Sequence, residues 1–184
     1  MTLAEFLVWE EQQPLRYEFD GTAPVAMTGG STGHASIRAN LAAALLNRLR
    51  GSPCRFYRAD FKLQVASGHI RYADGMVVSH PVDRSATLIG DPVVVLEVLS
   101  PSAAREDRIV KAREYQATPS VQCYVMLDQD GISATVLTRS GETWTHAILV
   151  TGSTLASPEI GVFLPLAEVY EGLGFDDADA GAEG

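Results

Sequence analysis

The sequence predicts one domain of the α/β (α+β) class, in which helices flank a mixed central β-sheet. Residues 93–99, VVVLEVL, form a continuous apolar run that is typical of a strand buried on both faces. The patterns around this run follow the order helix, three strands, helix, strand. Alternating segments separated by short turns add a hairpin near the N-terminus and a meander near the C-terminus. We therefore expect helices above and below the central strand.

Local patterns assign the individual elements. The predicted helices cover residues 3–13, 34–50, 105–117 and 166–172. The predicted strands cover residues 15–20, 23–28, 55–65, 70–79, 93–99, 121–128, 132–139 and 143–150. Thr2 and Glu5 have the spacing of a capping box, and Gly51 is a typical stop after the longest helix. The dipeptide Asp20-Gly21 predicts the turn of the first hairpin.

Length and charge limit the function classes. The 184 residues suit a single domain over residues 1–175, followed by an acidic tail at 176–184 that we expect to be disordered. No apolar run reaches the ~18 residues of a membrane span and no secretory signal is visible, so we expect no membrane contact and a cytoplasmic location. The formal net charge is −9. Such an acidic chain fits weak or tightly localised binding to nucleic acid.

Two carboxylates stand out in the predicted sheet. Glu97 interrupts the apolar run, and burying a lone carboxylate costs roughly several kcal/mol unless a cation or hydrogen-bond donors meet it. Asp74 falls in the preceding predicted strand, directly before Gly75. Carboxylates on two neighbouring strands can hold a hard divalent cation, with magnesium or manganese favoured over zinc.

The helix that follows the Glu97 strand offers a cation. Asp107, Lys111 and Tyr115 recur every four residues and share one face, which can turn back toward Glu97. A lysine beside a metal can orient or deprotonate a water, or stabilise charge on a phosphoryl oxygen. We expect Asp107 to cap the helix or pair with Lys111, and Tyr115 to serve packing.

Several motifs occur in the order found in a known nuclease superfamily. They are YEFDG (17–21), GHASIRANL (33–41), YADGMVV (72–78), VLEVLSPS (95–102), the D-x-x-x-K-x-x-x-Y helix and TPSVQCYVMLD (118–128). Together they resemble the PD-(D/E)XK nucleases and, within them, the bacterial Uma-type family of restriction endonucleases. The resemblance implies a restriction-endonuclease-like αβββαβ core that cleaves DNA with Mg²⁺ or Mn²⁺. It also implies Asp74 and Glu97 as metal ligands, Lys111 as the catalytic lysine, and Glu18 and His34 as secondary candidates. Nuclease relatives that cut both strands commonly work as homodimers.

Two positions depart from the superfamily pattern. Ala73 stands where the motif has Pro, and Leu99 stands two residues after Glu97, where the usual nuclease carries its Lys. The family resembles migrated-lysine variants, in which the following helix supplies the ammonium. The resemblance therefore assigns that role to Lys111.

Each candidate also has a purely structural interpretation. Asp74 could be a bulge residue ahead of a glycine, and Lys111 could be one more exposed helix cation. Glu97 could pair with Arg105 or Arg113 without any catalytic role. A protein that keeps the nuclease fold and its metal pocket as a binding module, without turnover, is the matching functional alternative, and the acidic charge favours it.

A serine hydrolase is a further competing interpretation. Residues 29–33, GGSTG, match the G-x-S-x-G motif with Ser31 as the nucleophile, and Asp128 and His146 follow in the chain order of an α/β-hydrolase. The preceding strand, however, belongs to a tight hairpin, and no oxyanion loop precedes it. A linker or a phosphate-cradling loop fits these residues better.

Overall fold

The computed structural model describes residues 1–27, 29–99 and 107–175, with side chains after the second gap described from residue 109. The helices are α1 (Leu3–Glu10), α2 (Thr32–Arg48), α3 (Ala112–Ala117) and α4 (Leu166–Val169). A π-helical turn (Asp107–Lys111) precedes α3, and a 3-10 turn (Pro158–Ile160) precedes the last strand. None of the helices in the described ranges is long and apolar enough to cross a bilayer. The expected tail at 176–184 lies outside the described residues.

Thirteen strands build the described part of the domain. They are β1 (Tyr17–Phe19), β2 (Pro24–Ala26), β3 (Arg55–Arg58), β4 (Lys62–Gln64), β5 (Ile70–Arg71), β6 (Gly75–Val78), β7 (Leu88–Ile89), β8 (Val94–Leu99), β9 (Cys123–Asp128), β10 (Ser133–Ser140), β11 (Thr143–Val150), β12 (Thr154–Ser157) and β13 (Val162–Pro165). A six-stranded sheet has the order β11-β10-β9-β8-β6-β3, and a five-stranded sheet has the order β2-β1-β5-β4-β7. The hairpin of β12 and β13, which the sequence did not predict, forms a third sheet.

The central sheet is mixed, as predicted. Strand β8 pairs antiparallel with β6 and parallel with β9, so the strand that carries Glu97 lies next to the one that follows Asp74. The parallel pairing places α3 in the crossover connection between β8 and β9. Strands β9, β10 and β11 complete the predicted antiparallel meander. The mixed α+β class is confirmed.

Local chemistry explains the predicted N-terminal elements. Thr2 and Glu5 form the capping box of α1, with hydrogen bonds of 2.7 and 3.2 Å. In the β1–β2 hairpin, Asp20 Oδ1 accepts hydrogen bonds from the amides of Thr22 and Ala23, which tighten the turn. Helix α2 starts two residues earlier than its apolar pattern indicated, since Ser31 is its N-cap.

Two predicted strands are broken in the structure. Residues 55–65 divide into β3 and β4, and residues 70–79 divide into β5 and β6. In each case the first and second halves pair in different sheets. The sequence pattern hides the second break because Tyr72 and Ala73 stay buried where the chain passes between the sheets. Asp74 therefore lies directly ahead of β6 rather than inside a strand, which corrects the expected placement.

The two faces of β8 are covered by different helices. Val94, Leu96 and Val98 belong to the hydrophobic cluster that contains the apolar side of α2. Val95 and Leu99 belong to the cluster that contains Ala112 and Tyr115 of α3. Because side chains alternate along a strand, Glu97 lies on the α3 face. A third apolar cluster packs α1 against the five-stranded sheet.

Candidate active site

The two predicted ligands, Asp74 and Glu97, lie at the junction of β6 and β8. Gly75 pairs with Leu96, and Asp74 and Glu97 are the residues next to this pair in the two neighbouring segments. The Val98 amide donates a 2.7 Å hydrogen bond to Asp74 Oδ2. The Asp74 carboxylate is therefore fixed to the backbone of the strand that carries Glu97.

Glu97 is held by groups from the helix that covers its face. It is 3% exposed, and the Tyr115 hydroxyl donates a 2.9 Å hydrogen bond to its Oε1. The Lys111 ammonium lies 3.5 Å from the same oxygen. Lys111 ends the π-helical turn, a feature that is frequent at functional sites, and Tyr115 follows one turn later in α3. Burial, and then the neighbouring Glu97 charge, raise the pKa of Tyr115 well above its usual value, so its hydroxyl stays a proton donor.

Lys111 also contacts Glu18, the secondary candidate in the N-terminal hairpin. Its ammonium lies 3.2 Å from Glu18 Oε1, which also accepts a 3.1 Å hydrogen bond from the Tyr72 amide. Both side chains are 11% exposed. Glu18 belongs to the five-stranded sheet and Glu97 to the six-stranded sheet, so one ammonium bridges carboxylates of both sheets.

A buried arginine that sequence reasoning missed supports this bridge. Arg71 is 3% exposed, and its Nη1 lies 3.2 Å from Glu18 Oε2. Its Nε and Nη2 each donate a 2.6 Å hydrogen bond to Glu114, three residues after Lys111. His69 Nδ1 lies 2.6 Å from the same carboxylate. Burial raises the pKa of Glu114, but the hydrogen bonds from Arg71 and His69 outweigh it and hold the pKa below its usual value.

Asp74 is met from the opposite side by helix α2. His34 Nε2 lies 3.2 Å from Asp74 Oδ2, and Arg38 Nε lies 3.1 Å from Oδ1. His34 was predicted as a secondary candidate, whereas Arg38 was missed. Its spacing of four residues from His34 was the available signal, because it puts both side chains on one helix face.

The structure thus brings the predicted residues into two groups around one junction. Glu97, Lys111 and Glu18 contact one another on the α3 side, and Asp74 contacts His34 on the α2 side. Tyr115 packs against Tyr124, as expected, with the two ring centroids 4.8 Å apart. It is in addition a hydrogen-bond donor to Glu97. The expected contact of Asp107 with Lys111 and the alternative pairing of Glu97 with Arg105 fall outside the described side chains.

The donor chemistry at the junction fits a hard divalent cation. Asp74 and Glu97 supply carboxylate oxygens, and magnesium typically needs only one or two carboxylates because it keeps several waters. Within the described ranges, no group of three or more His, Cys, Asp or Glu side chains has the arrangement of a metal site.

Ser31 has a structural role in this arrangement. Its Oγ accepts a 3.1 Å hydrogen bond from the His34 amide as the N-cap of α2, and it lies 3.3 Å from Gln129 Oε1. The strand before it, β2, is part of the N-terminal hairpin, so the motif lacks the central parallel strand of a nucleophile elbow.

Comparison with known proteins identifies the family. The family model Uma2, described as "Putative restriction endonuclease", matches residues 3–167. The chain therefore belongs to the Uma2 family.

This Uma2 protein is similar to two curated proteins and to one solved structure. It is 30% identical to the uncharacterized protein slr1290 of Synechocystis sp. (strain ATCC 27184 / PCC 6803 / Kazusa), over 93% of this chain and 92% of the relative. It is 31% identical to the uncharacterized protein sll1609 of the same organism, over 70% of this chain and 75% of the relative. A crystal structure described as a putative nuclease belonging to DUF820, from Anabaena variabilis ATCC 29413, matches with a TM-score of 0.76 and 14% identity, covering 92% of this chain and 97% of that chain. This likeness establishes a fold shared with that structure.

Proposed function

We propose that this protein is a magnesium- or manganese-dependent nuclease that hydrolyses phosphodiester bonds of DNA. The observation that carries the proposal is the Lys111 ammonium, which lies 3.5 Å from Glu97 although the usual lysine position holds Leu99. A lysine from the following helix is what the family resemblance requires at that place. Asp74 and Glu97 would hold the cation.

The residues of the chain divide the work as follows. A bound cation would supply Lewis-acid polarisation of the phosphoryl group and an activated water. Tyr115 and Lys111 fix the orientation of Glu97, and the Val98 amide fixes Asp74. The Lys111 ammonium is placed to stabilise negative charge that develops on a phosphoryl oxygen. Glu18 and Arg71 act as positioning residues, because they hold the ammonium and the helix that carries it.

Plasmid and single-stranded DNA cleavage tests the proposal. Wild type, Glu97→Ala and Lys111→Ala, purified identically, are compared in manganese and in EDTA. We expect manganese-dependent cleavage by wild type only, because each substitution removes a group in the proposed chemistry. Arg113→Ala is a matched control, since Arg113 is an exposed cation on the same helix. Equal cleavage by wild type and both site variants would mean a contaminating nuclease or a different site.

A binding module without turnover is the second candidate. The formal charge of −9 favours it, since this charge opposes extended contact with a nucleic-acid backbone. This candidate predicts a manganese-dependent rise in thermal stability that Glu97→Ala abolishes, together with no cleavage by wild type.

A further inference from the structure

We propose that Arg38 is a phosphate-binding residue, which recognises a non-bridging oxygen of the nucleic-acid backbone at the edge of the candidate active site. The inference rests on the proposed function for the identity of its ligand and extends it to a residue that the family resemblance does not assign. Arg38 and His34 lie one turn apart on α2 and both contact Asp74.

Among the described residues, Asp74 is the one acidic partner of the Arg38 guanidinium. Its contact with Asp74 runs through Nε, at 3.1 Å from Oδ1. A guanidinium has five N–H donors, and within the described ranges its two Nη groups have no hydrogen-bond acceptor. The Arg38 side chain is 36% exposed, against 10% for Asp74. The carboxylate therefore contacts the Nε side of the guanidinium, and the Arg38 side chain as a whole is partly open to solvent.

The anchored arginine has the geometry that phosphate recognition needs. The planar fork of a guanidinium matches two phosphate oxygens, and orientation by a carboxylate reduces the conformational entropy lost on binding. The contact with Asp74 fixes this orientation in the absence of a metal. A lysine in the same place would keep the charge but would lose the fork.

The position of Arg38 complements that of Lys111. Helix α2 packs on one face of β8 and α3 packs on the other. The two cations therefore approach the Asp74–Glu97 junction from opposite faces of the sheet. Separate phosphates of a backbone that reaches the junction would meet Arg38 on the α2 side and Lys111 on the α3 side. Arg38 and Lys111 thus place positive charge at one junction of an otherwise acidic protein. Nucleic acid would then be bound there through few phosphate contacts.

A purely structural role for Arg38, neutralising Asp74, makes a different prediction. In that case Arg38 has no use once the carboxylate is replaced. Asp74→Asn removes the negative charge and leaves Arg38 intact, so phosphate binding should be retained or strengthened. Adding Arg38→Ala to Asp74→Asn should then weaken binding if Arg38 contacts phosphate, and should have no effect if Arg38 only neutralises Asp74.

Binding without catalysis provides the test. Fluorescence anisotropy measures the affinity for a labelled single-stranded oligonucleotide and a duplex of the same sequence, in EDTA and over a range of salt concentrations. We expect Arg38→Ala to weaken binding about 5- to 20-fold and to reduce the slope of log K against log salt by about 0.7–0.9, one phosphate contact. Arg38→Lys should retain part of the affinity. Arg50→Ala is the matched control, an exposed arginine about 18 Å along the α2 direction, and should change affinity less than about twofold.

The outcomes separate this inference from the proposed function. Binding by Arg38→Ala within twofold of wild type, an equal effect of Arg50→Ala, or no effect of Arg38→Ala in the Asp74→Asn background would each overturn it. Failure of wild type to bind either oligonucleotide would do the same. Loss of affinity in Arg38→Ala, with no cleavage by wild type, would support phosphate binding and reject the nuclease. Cleavage by wild type with unchanged binding by Arg38→Ala would support the nuclease and reject the inference.

Discussion

Lys111→Ala should destabilise the metal-free protein, and divalent cation should reverse most of the loss. Removing one partner of a buried ion pair costs about 3–5 kcal/mol when the other charge is left alone. Here the remaining carboxylates keep other partners: Glu18 keeps Arg71 and the Tyr72 amide, and Glu97 keeps the Tyr115 hydroxyl. We therefore expect a loss of about 1–3 kcal/mol in EDTA.

Lys62 provides a matched control for this experiment. Its ammonium lies 3.0 Å from Glu10, and the two side chains are 9% and 6% exposed. Glu10 keeps a 2.7 Å hydrogen bond from the Tyr72 hydroxyl when Lys62 is removed. Lys62→Ala should thus lower the free energy of unfolding by a similar amount, but at an ion pair that does not include Glu97 or Lys111.

Urea unfolding in EDTA and in manganese gives the comparison. Cation at about 100 times its Kd adds about 2.7 kcal/mol to the stability of a form that binds it. In wild type the cation must compete with Lys111 for Glu97, so its net effect on stability is smaller than in Lys111→Ala. The difference in unfolding free energy between wild type and Lys111→Ala should shrink in manganese. The difference between wild type and Lys62→Ala should persist. If neither difference changes between EDTA and manganese, the Lys111 ammonium does not overlap with the proposed metal site.

Three further substitutions test the surroundings of the site. Tyr115→Phe should cost about 1–2 kcal/mol by removing the hydrogen bond to Glu97. Because the folded pKa of Tyr115 is raised, wild-type stability should fall as pH rises above ~10, where unfolded tyrosine ionises, and urea unfolding should show a shallower fall in the variant. Glu114→Gln should lower stability at neutral pH. It should also make the loss of stability below pH ~4.5 less steep, because the pKa of Glu114 is depressed in the folded state and its stabilisation is lost on protonation. Parallel pH profiles of the variant and wild type would contradict this. Gly75→Ala would place a Cβ 2.7 Å from the Phe56 ring, so we expect the free energy of unfolding to fall by about 1–3 kcal/mol. Manganese should also raise the thermal stability of this variant less than that of wild type. Unchanged thermal unfolding would contradict the close packing of Gly75 against Phe56.

Sequence patterns predicted best where local chemistry decides the structure. The apolar run of β8, the capping box of α1 and the β10–β11 hairpin all appear within a residue or two of their expected bounds. The unbalanced carboxylate of Glu97 correctly indicated a cation, and the four-residue spacing indicated Lys111 as that cation. These signals are short-range, and burial makes them strong.

The remaining features depend on contacts between distant parts of the chain. The break between β5 and β6 has no turn residues of its own before Asp74, because both sides of it are buried. Arg71 contacts Glu114, 43 residues away, and no periodicity links the two. The family resemblance assigns roles to particular motif positions, so it also passed over Arg38, which lies within a motif but has no assigned role there.

The passage of the chain between the two sheets has a consequence for folding order. Glu18 becomes part of the cluster only when the five-stranded sheet is in place, and Glu97 only when the six-stranded sheet is in place. Lys111 contacts both, so its ammonium has its full set of partners only in a molecule where both sheets have formed and docked. Any local opening that separates the sheets breaks this contact and also opens the apolar cluster that Leu63 of the five-stranded sheet shares with Val95 of the six-stranded sheet. The contacts of Lys111 with Glu18 and Glu97 therefore depend on the docking of the two sheets, and hydrogen exchange at the Tyr72 amide, which donates to Glu18, would report their separation.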